Sequence, residues 1–247
     1  MQEAPIPVAP PLPGGANPAA GKGRAPEPAL HEARALTILT TEHWSLLSAR
    51  SLVYNEAFAR AGMFLAFLSA TLVALGLIAT ATGFSDGFLT VAGVVLALNL
   101  FVGLGSLARI AGASAEDIRY LQGMNRLRHA YHDMVPGLER YFITSKYDDV
   151  ESVLSFYGPV VSSPARNLLH GMTTTPAMLA VISSAVAGAL SAVVTILTTH
   201  IATTAAVAGI GGFAILFVIL NGVLIFQIRT SMLAIVAIFP RTDWDDD

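Results

Sequence analysis

Four long stretches of this chain hold no Lys, Arg, Asp or Glu in their interior, and that fact restricts the fold more than any motif does. They run at about 62–82, 88–110, 177–199 and 204–227, with Arg109 at the very end of the second. At 1.5 Å rise per residue, about 20 helical residues cover the ~30 Å of hydrocarbon in a bilayer. A buried helix of that length in a soluble domain usually carries a charged face. Composition agrees: 54% of residues are hydrophobic and 13% charged, against roughly 25% charged in soluble domains. The expected fold class is an all-α membrane protein with four transmembrane helices.

The gaps between these stretches set the expected topology. Only GFSDG separates the first two and about HIAT the last two, so each pair is expected to form a tight helical hairpin. Neither turn holds Lys or Arg. All 14 basic residues fall in the N-terminal segment, the long middle segment or the C-terminal end. Because positive residues stay on the cytoplasmic side, both termini and residues 111–176 are expected there, in the inner (plasma) membrane of a cell.

Composition also excludes chemistry. The chain has no cysteine, which removes disulfides, thiol nucleophiles, Cys-ligated zinc and iron–sulfur clusters. A net charge of -3 gives no reason to expect nucleic acid as a partner. There is no phosphate loop, dinucleotide fingerprint, His-Glu-x-x-His pair or nucleophile elbow. The sequence implies no cofactor and no catalytic residue.

Residues 1–28, MQEAPIPVAPPLPGGANPAAGKGRAPEP, are rich in Pro, Ala and Gly without apolar periodicity. Such a segment cannot bury enough surface to offset its ordering entropy, and disorder is expected. It does not have the layout of a signal peptide, since Lys22 and Arg24 follow Pro-rich sequence with no apolar core directly after them. A four-span helical domain is then expected over 29–240, and an acidic tail over 241–247.

Leading from the tail into the first apolar stretch, Trp44, Leu47, Ser51, Tyr54, Phe58 and Leu65 recur at helical spacing. Glu56 and Arg60 form an i,i+4 pair in the favourable order. Aromatics and arginines at the edge of an apolar run suit interface anchoring. Trp44, Tyr54, Arg60, Arg109 and Arg229 are the expected anchors, a collar rather than a catalytic cluster around Glu42 and His43.

Three stretches carry a resemblance: TTEHWSLLSARSLVYNEAFARAGMFL, GMNRLRHAYHDMVPGLERYF at 123–142 and HGMTTTPAMLAV at 170–181. They look like a group of uncharacterised multi-pass integral membrane proteins of the actinobacterial type, over most of residues 36–200. That resemblance implies a bacterial membrane location and topology, and no activity. The order helix, two spans, helix over residues 30–150 is also similar to the two-span effector domains of bacterial nucleotide-signalling defence systems, which are thought to form pores. The second pair of spans departs from that arrangement.

In the middle segment, Ser114 has the position of an N-cap, with Glu116 and Asp117 in a first helical turn and Pro136-Gly137 as the breaker. His129, His132 and Asp133 share a helical face and are the one candidate metal set, though two imidazoles and a carboxylate are a common combination. Residues 143–176 are expected to form an irregular connector against the membrane surface with a short helix near 147–156. Its acidic cluster, Asp148, Asp149 and Glu151, reads as a solvated loop. Arg166 and His170 could meet lipid headgroups or an anionic ligand, but a solvated loop is the expected account of them too.

Small and weakly polar residues form stripes within the spans: Ser69, Gly76 and Thr80; Asn99, Gly103 and Ser106; Ser184, Gly188, Ser191 and Thr195; then Ala208, Gly212 and Asn221. Such stripes let helix backbones approach closely in lipid, and they can also line a narrow path. Asn99 is the strongest polar candidate, expected to pair with Asn221 or a serine of the third span, since an unpaired amide in hydrocarbon is costly. Beyond the fourth span, Met232–Phe239 is too short to cross again and is expected to prolong the helix or lie in the interface.

Three functions follow as expectations. The first is a non-enzymatic protein with the lipid bilayer and further copies of itself as partners, assembling as a scaffold or pore-like oligomer. The second is a small channel or transporter using Asn99 and the third-span hydroxyls. The third is a metal-dependent membrane enzyme centred on His129, His132 and Asp133.

Overall fold

The computed structural model describes residues 27–157 and 174–241, with side chains from residue 32 onward. These residues form helices joined by turns, with no strand among them. Helix α1 spans Glu27–Thr82 and α2 spans Asp86–Met134; a 3-10 turn at Leu138–Tyr141 leads to the short α3, Val150–Leu154. Then come α4, Thr175–Thr199, and α5, Ala202–Leu233. Helices α1, α2, α4 and α5 are each long and apolar enough to cross a membrane. The expected disordered tail up to residue 26, Arg166, His170 and the acidic residues 242–247 lie outside the described residues.

The first two helices far exceed a membrane crossing. With 56 and 49 residues, they extend about 84 and 74 Å at the standard rise. The sequence suggests a fresh helix start at Ser114, but α2 runs straight through it and the Ser114 hydroxyl donates to the Ile110 carbonyl at 3.1 Å. The reason is a continuous buried face. Leu107, Ile110, Ala113, Asp117, Leu121, Met124 and Arg128 keep the three-to-four spacing past the end of the apolar stretch. The helix stops where Pro136 forces the preceding Val135 into extended backbone, φ -136°.

Three residues turn α1 into α2. Gly83 takes φ 64°, a left-handed conformation that glycine adopts without strain, and the Ser85 hydroxyl caps α2 by accepting the Phe88 N–H at 3.3 Å. From that turn the helices stay in register along their length: Phe64 lies beside Gly103 and Leu46 beside Gly123, the Ser106 hydroxyl meets the Arg60 carbonyl, and Arg50 meets Asp117. Each pair straddles Phe84 almost symmetrically. Ala57, Ala61, Leu107, Ile110, Ala113, Leu179 and Ala180 form the core where α1, α2 and α4 meet.

The packing order is α1 on α2, α2 on α4 and α4 on α5, with slight contact between α2 and α5. The four helices therefore make an open row. An apolar groove of about 340 Å³, lined by Leu104, Leu107, Leu220 and Leu224, runs between α2 and α5. Helix α5 forms the edge, and none of its most apolar 18-residue window is buried.

The α4–α5 contact depends on missing side chains. A Cβ on Gly188 would stand 2.8 Å from the Gly209 carbonyl oxygen, and one on Gly212 would stand 2.8 Å from Ser191 Cβ. Backbones this close gain dispersion contacts where lipid supplies no hydrophobic drive. By contrast, the Ser69, Gly76 and Thr80 stripe of α1 does not face a neighbour: all three are exposed, and nothing lies within 4 Å of a Cβ built on Gly76.

After the 3-10 turn the chain runs back along α2 rather than spreading away from it, with the Tyr147 carbonyl on Asn125 and the Tyr157 hydroxyl on Asp117. The expected continuation of the last helix to residue 239 does not form. Helix α5 ends at Leu233, because the Ile238 and Phe239 amides are committed to the Asp148 carboxylate instead of to helical carbonyls. Ile235 packs on the small cluster of Ile118, Leu121 and Val153.

Candidate functional site

Within the apolar layer, polar side chains turn mostly onto their own helices. Ser184 donates to the Ala180 carbonyl at 2.7 Å, Thr195 to Ser191 O at 2.8 Å and Asn221 to Phe217 O at 2.8 Å. Asn99, fully buried on α2, bonds across to α1, as Ser106 does. Its amide donates to Thr71 Oγ1 of α1 at 2.9 Å and to Val95 O at 3.0 Å, so its cross-helix partner is neither Asn221 nor a third-span serine. The α1–α2 register brings Thr71 opposite Asn99, a pairing that span-by-span reading does not reveal. Asn99 Oδ1 and Ser183 Oγ are both sealed from solvent without a hydrogen-bond partner.

The more elaborate polar centre lies beyond the apolar stretches, around Asp117. This carboxylate is 1% exposed. It accepts bonds from Arg50 Nε and, at 3.2 Å, from Arg50 Nη2. Tyr54 Oη donates to it at 3.1 Å and Tyr157 Oη at 2.6 Å. Two elements thus converge on one side chain of a third. Burial and the neighbouring Asp117 charge push Tyr54 up to about 12 and raise Tyr157 further, because both disfavour a second anion. With four donors on two oxygens, Asp117 has little capacity left for a substrate, and the cluster acts as a joint.

A second carboxylate organises the end of the chain. Asp148, with 0% exposure, accepts Arg126 Nε at 2.6 Å and the backbone N–H groups of Ile238 at 3.0 Å and Phe239 at 2.8 Å. Arg126 and Gln122 also donate to the Val236 carbonyl, at 2.7 and 3.0 Å. Asp149 caps α3 through the Ser152 N–H at 2.7 Å and holds the Arg241 N–H at 2.8 Å. Burial alone would raise Asp148, but the amide bonds and Arg126 outweigh it and hold the carboxyl below the usual carboxylate range.

The expected anchors separate. Trp44 is 69% exposed and Arg229 is exposed, whereas Tyr54 serves the Asp117 joint. The expected Glu56–Arg60 pair forms at 2.9 Å, and Arg109 extends it by binding Glu56 at 2.9 Å and Glu116 at 3.1 Å.

His129, His132 and Asp133 do not converge. His129 lies 3.8 Å from Asp133 and stacks on Phe239 with ring centroids 4.0 Å apart. His132 faces Glu139 at 3.6 Å and the Phe142 ring, beside a cavity of about 270 Å³ that Lys146 and Tyr147 also line. Among the described residues, no group of three or more His, Asp or Glu is arranged to hold a metal ion.

Sequence reasoning passed over both carboxylates. Asp117 left a signal, since it interrupts an apolar face between Ala113 and Leu121 at helical spacing, the position of a buried charge rather than a cap. Asp148 left none, because a carboxylate that binds amides 90 residues away looks locally like any loop aspartate. Searches among protein-family models, curated proteins and solved structures find no match to this chain.

Proposed function

We propose that this chain is a multi-pass protein of a cell inner membrane, built as two spanning hairpins with both termini cytoplasmic, and that it is a non-enzymatic component assembling with copies of itself. The distribution of basic residues supports the orientation. The observation that carries the assembly reading is the open row of helices, whose edge helix α5 buries none of its most apolar window.

Small residues are available on the open faces. A Cβ on Gly76 of α1, or on Gly211 or Gly222 of α5, would meet nothing within 4 Å. On α5, Gly211, Ile215, Val218 and Gly222 share one face by spacing, and Ile215 and Val218 are 64% and 68% exposed. Such a face suits close contact with a second helix in lipid. Light scattering of the detergent-solubilised chain tests this: an oligomer is expected, and Gly211→Leu with Gly222→Leu shifts it toward monomer. A monomeric wild type, at protein concentrations well above those in a membrane extract, rejects assembly.

One observation favours a second reading, a narrow conducting path. Asn99 Oδ1 and Ser183 Oγ are buried polar atoms without partners, and ordered water commonly satisfies such atoms. In liposomes, Asn99→Leu should then reduce ion or water flux; undiminished flux removes Asn99 from any transport role.

A further inference from the structure

Arg128 is 6% exposed, yet among the described residues the arginine ion pairs belong to Arg50, Arg60, Arg109 and Arg126. Among the described residues its guanidinium makes one hydrogen bond, from Nη1 to Asn125 Oδ1 at 2.6 Å, and it lies 5.2 Å from the Phe156 ring centroid. A guanidinium carries five N–H donors, so most of its capacity is unspent. Among the described residues no second partner takes up the remaining donors, and the side chain keeps a 6% exposed edge.

The surroundings add positive charge instead of cancelling it. The Arg50 guanidinium lies 5.9 Å from the same Phe156 ring, and its own carboxylate, Asp117, is already occupied. Residues 158–173, which follow Tyr157, contain no Asp or Glu, so that segment cannot supply a counter-charge whatever its course. An unpaired buried cation is costly, whereas a guanidinium held in place with open donors is well matched to the oxygens of a phosphate.

We propose that Arg128, oriented by Asn125 and reinforced by Arg50, is a recognition site for a phosphate-bearing anion. Its depth selects the source. Arg128 lies 18 residues beyond position 110 on an unbroken helix, about 27 Å. The headgroup layer adds only about 5–8 Å on each side of the hydrocarbon. A soluble phosphate compound therefore reaches the site and a headgroup of the surrounding bilayer does not, a step that rests on the spanning placement proposed above.

The test uses the full chain in phosphatidylcholine nanodiscs, with sodium pyrophosphate titrated against sodium chloride at matched ionic strength. A saturating rise in Tm is expected. Arg128→Gln weakens the apparent affinity at least tenfold, while Arg119→Gln, at an exposed position on the same helix, changes it less than twofold. Because Arg128→Gln can misfold, wild-type labelling by phenylglyoxal supplies an independent readout: pyrophosphate protects the peptide containing Arg128.

No Tm response of the wild type beyond the chloride control overturns the proposal, as does a response unchanged in Arg128→Gln. Stabilisation by phosphatidylglycerol nanodiscs without pyrophosphate, lost in Arg128→Gln, overturns the soluble source in favour of a headgroup. A response seen only in a chain ending at Arg241 identifies the acidic tail as the occupant and also overturns it. Reporter fusions placing residues 111–134 outside the cell remove the topology reading without affecting this titration.

Discussion

The apolar layer and the polar layer beside it solve the same problem, the burial of polar groups, in opposite ways. In the apolar layer, hydroxyls and amides bond chiefly to carbonyls one turn back on their own helix, as Ser184, Thr195 and Asn221 do. Contacts between helices there depend on the absence of side chains, at Gly103, Gly188 and Gly212. In the polar layer, single carboxylates bind two or three elements at once. The difference teaches that the first layer fixes how near the helices come, and the second fixes how the remaining segments are tied to them.

The largest expected effect lies in the polar layer. Asp117→Ala leaves Arg50 without its partner and two tyrosine hydroxyls without an acceptor, a loss of about 3–5 kcal/mol typical of breaking a buried pair. Thermal unfolding in detergent should show it. A loss below 1 kcal/mol would mean that the joint contributes no more than an exposed ion pair.

Asp148→Ala is expected to cost about 3 kcal/mol by the same reasoning, but locally, as faster hydrogen exchange at the Ile238 and Phe239 amides with the spans unaffected. The pH dependence has a definite sign. Asp148 is depressed in the folded chain, so its contribution is complete above the ordinary carboxylate value of about 4 and is lost as pH falls through the lower folded value. Amide protection at Ile238 and Phe239 should hold at pH 5 and fail only in stronger acid. Failure already at pH 5 would contradict the depressed carboxyl.

In the apolar layer, Gly188→Leu drives a side chain into the Gly209 backbone and should cost about 1–3 kcal/mol by overpacking. Gly105→Leu, where nothing lies within 4 Å of a Cβ, serves as the neutral comparison. Equal effects at the two sites would show that the α4–α5 approach is not close. Smallest of all, Asn99→Leu should cost about 0.6 kcal/mol, the average for hydrogen bonds between membrane helices. A loss several times larger would mean that the Asn99–Thr71 bond belongs to a wider network.

These expectations mark how much was legible beforehand. The four long apolar helices and the turns near Gly83 and His200 follow from uninterrupted apolar runs and their breaks. The Glu56–Arg60 pair follows from i,i+4 spacing. The partner of Asn99 did not follow, because helical spacing says which residues share a face and not which face of which helix lies opposite. Ser114 misled for a related reason: a capping residue type produces a cap only where the helix otherwise ends, and the packing of α1 on α2 carries the helix past it.

The sequence by itself determined that this chain is helical and that four of its helices are long and apolar enough to cross a membrane, since both depend on runs of adjacent residues. Only the tertiary structure decided that the helices stand in an open row, that Asp117 joins three elements, and that Asp148 draws the end of the chain back onto α2. Those outcomes depend on contacts between residues as many as 91 positions apart, and at that separation local spacing carries no information about which groups meet.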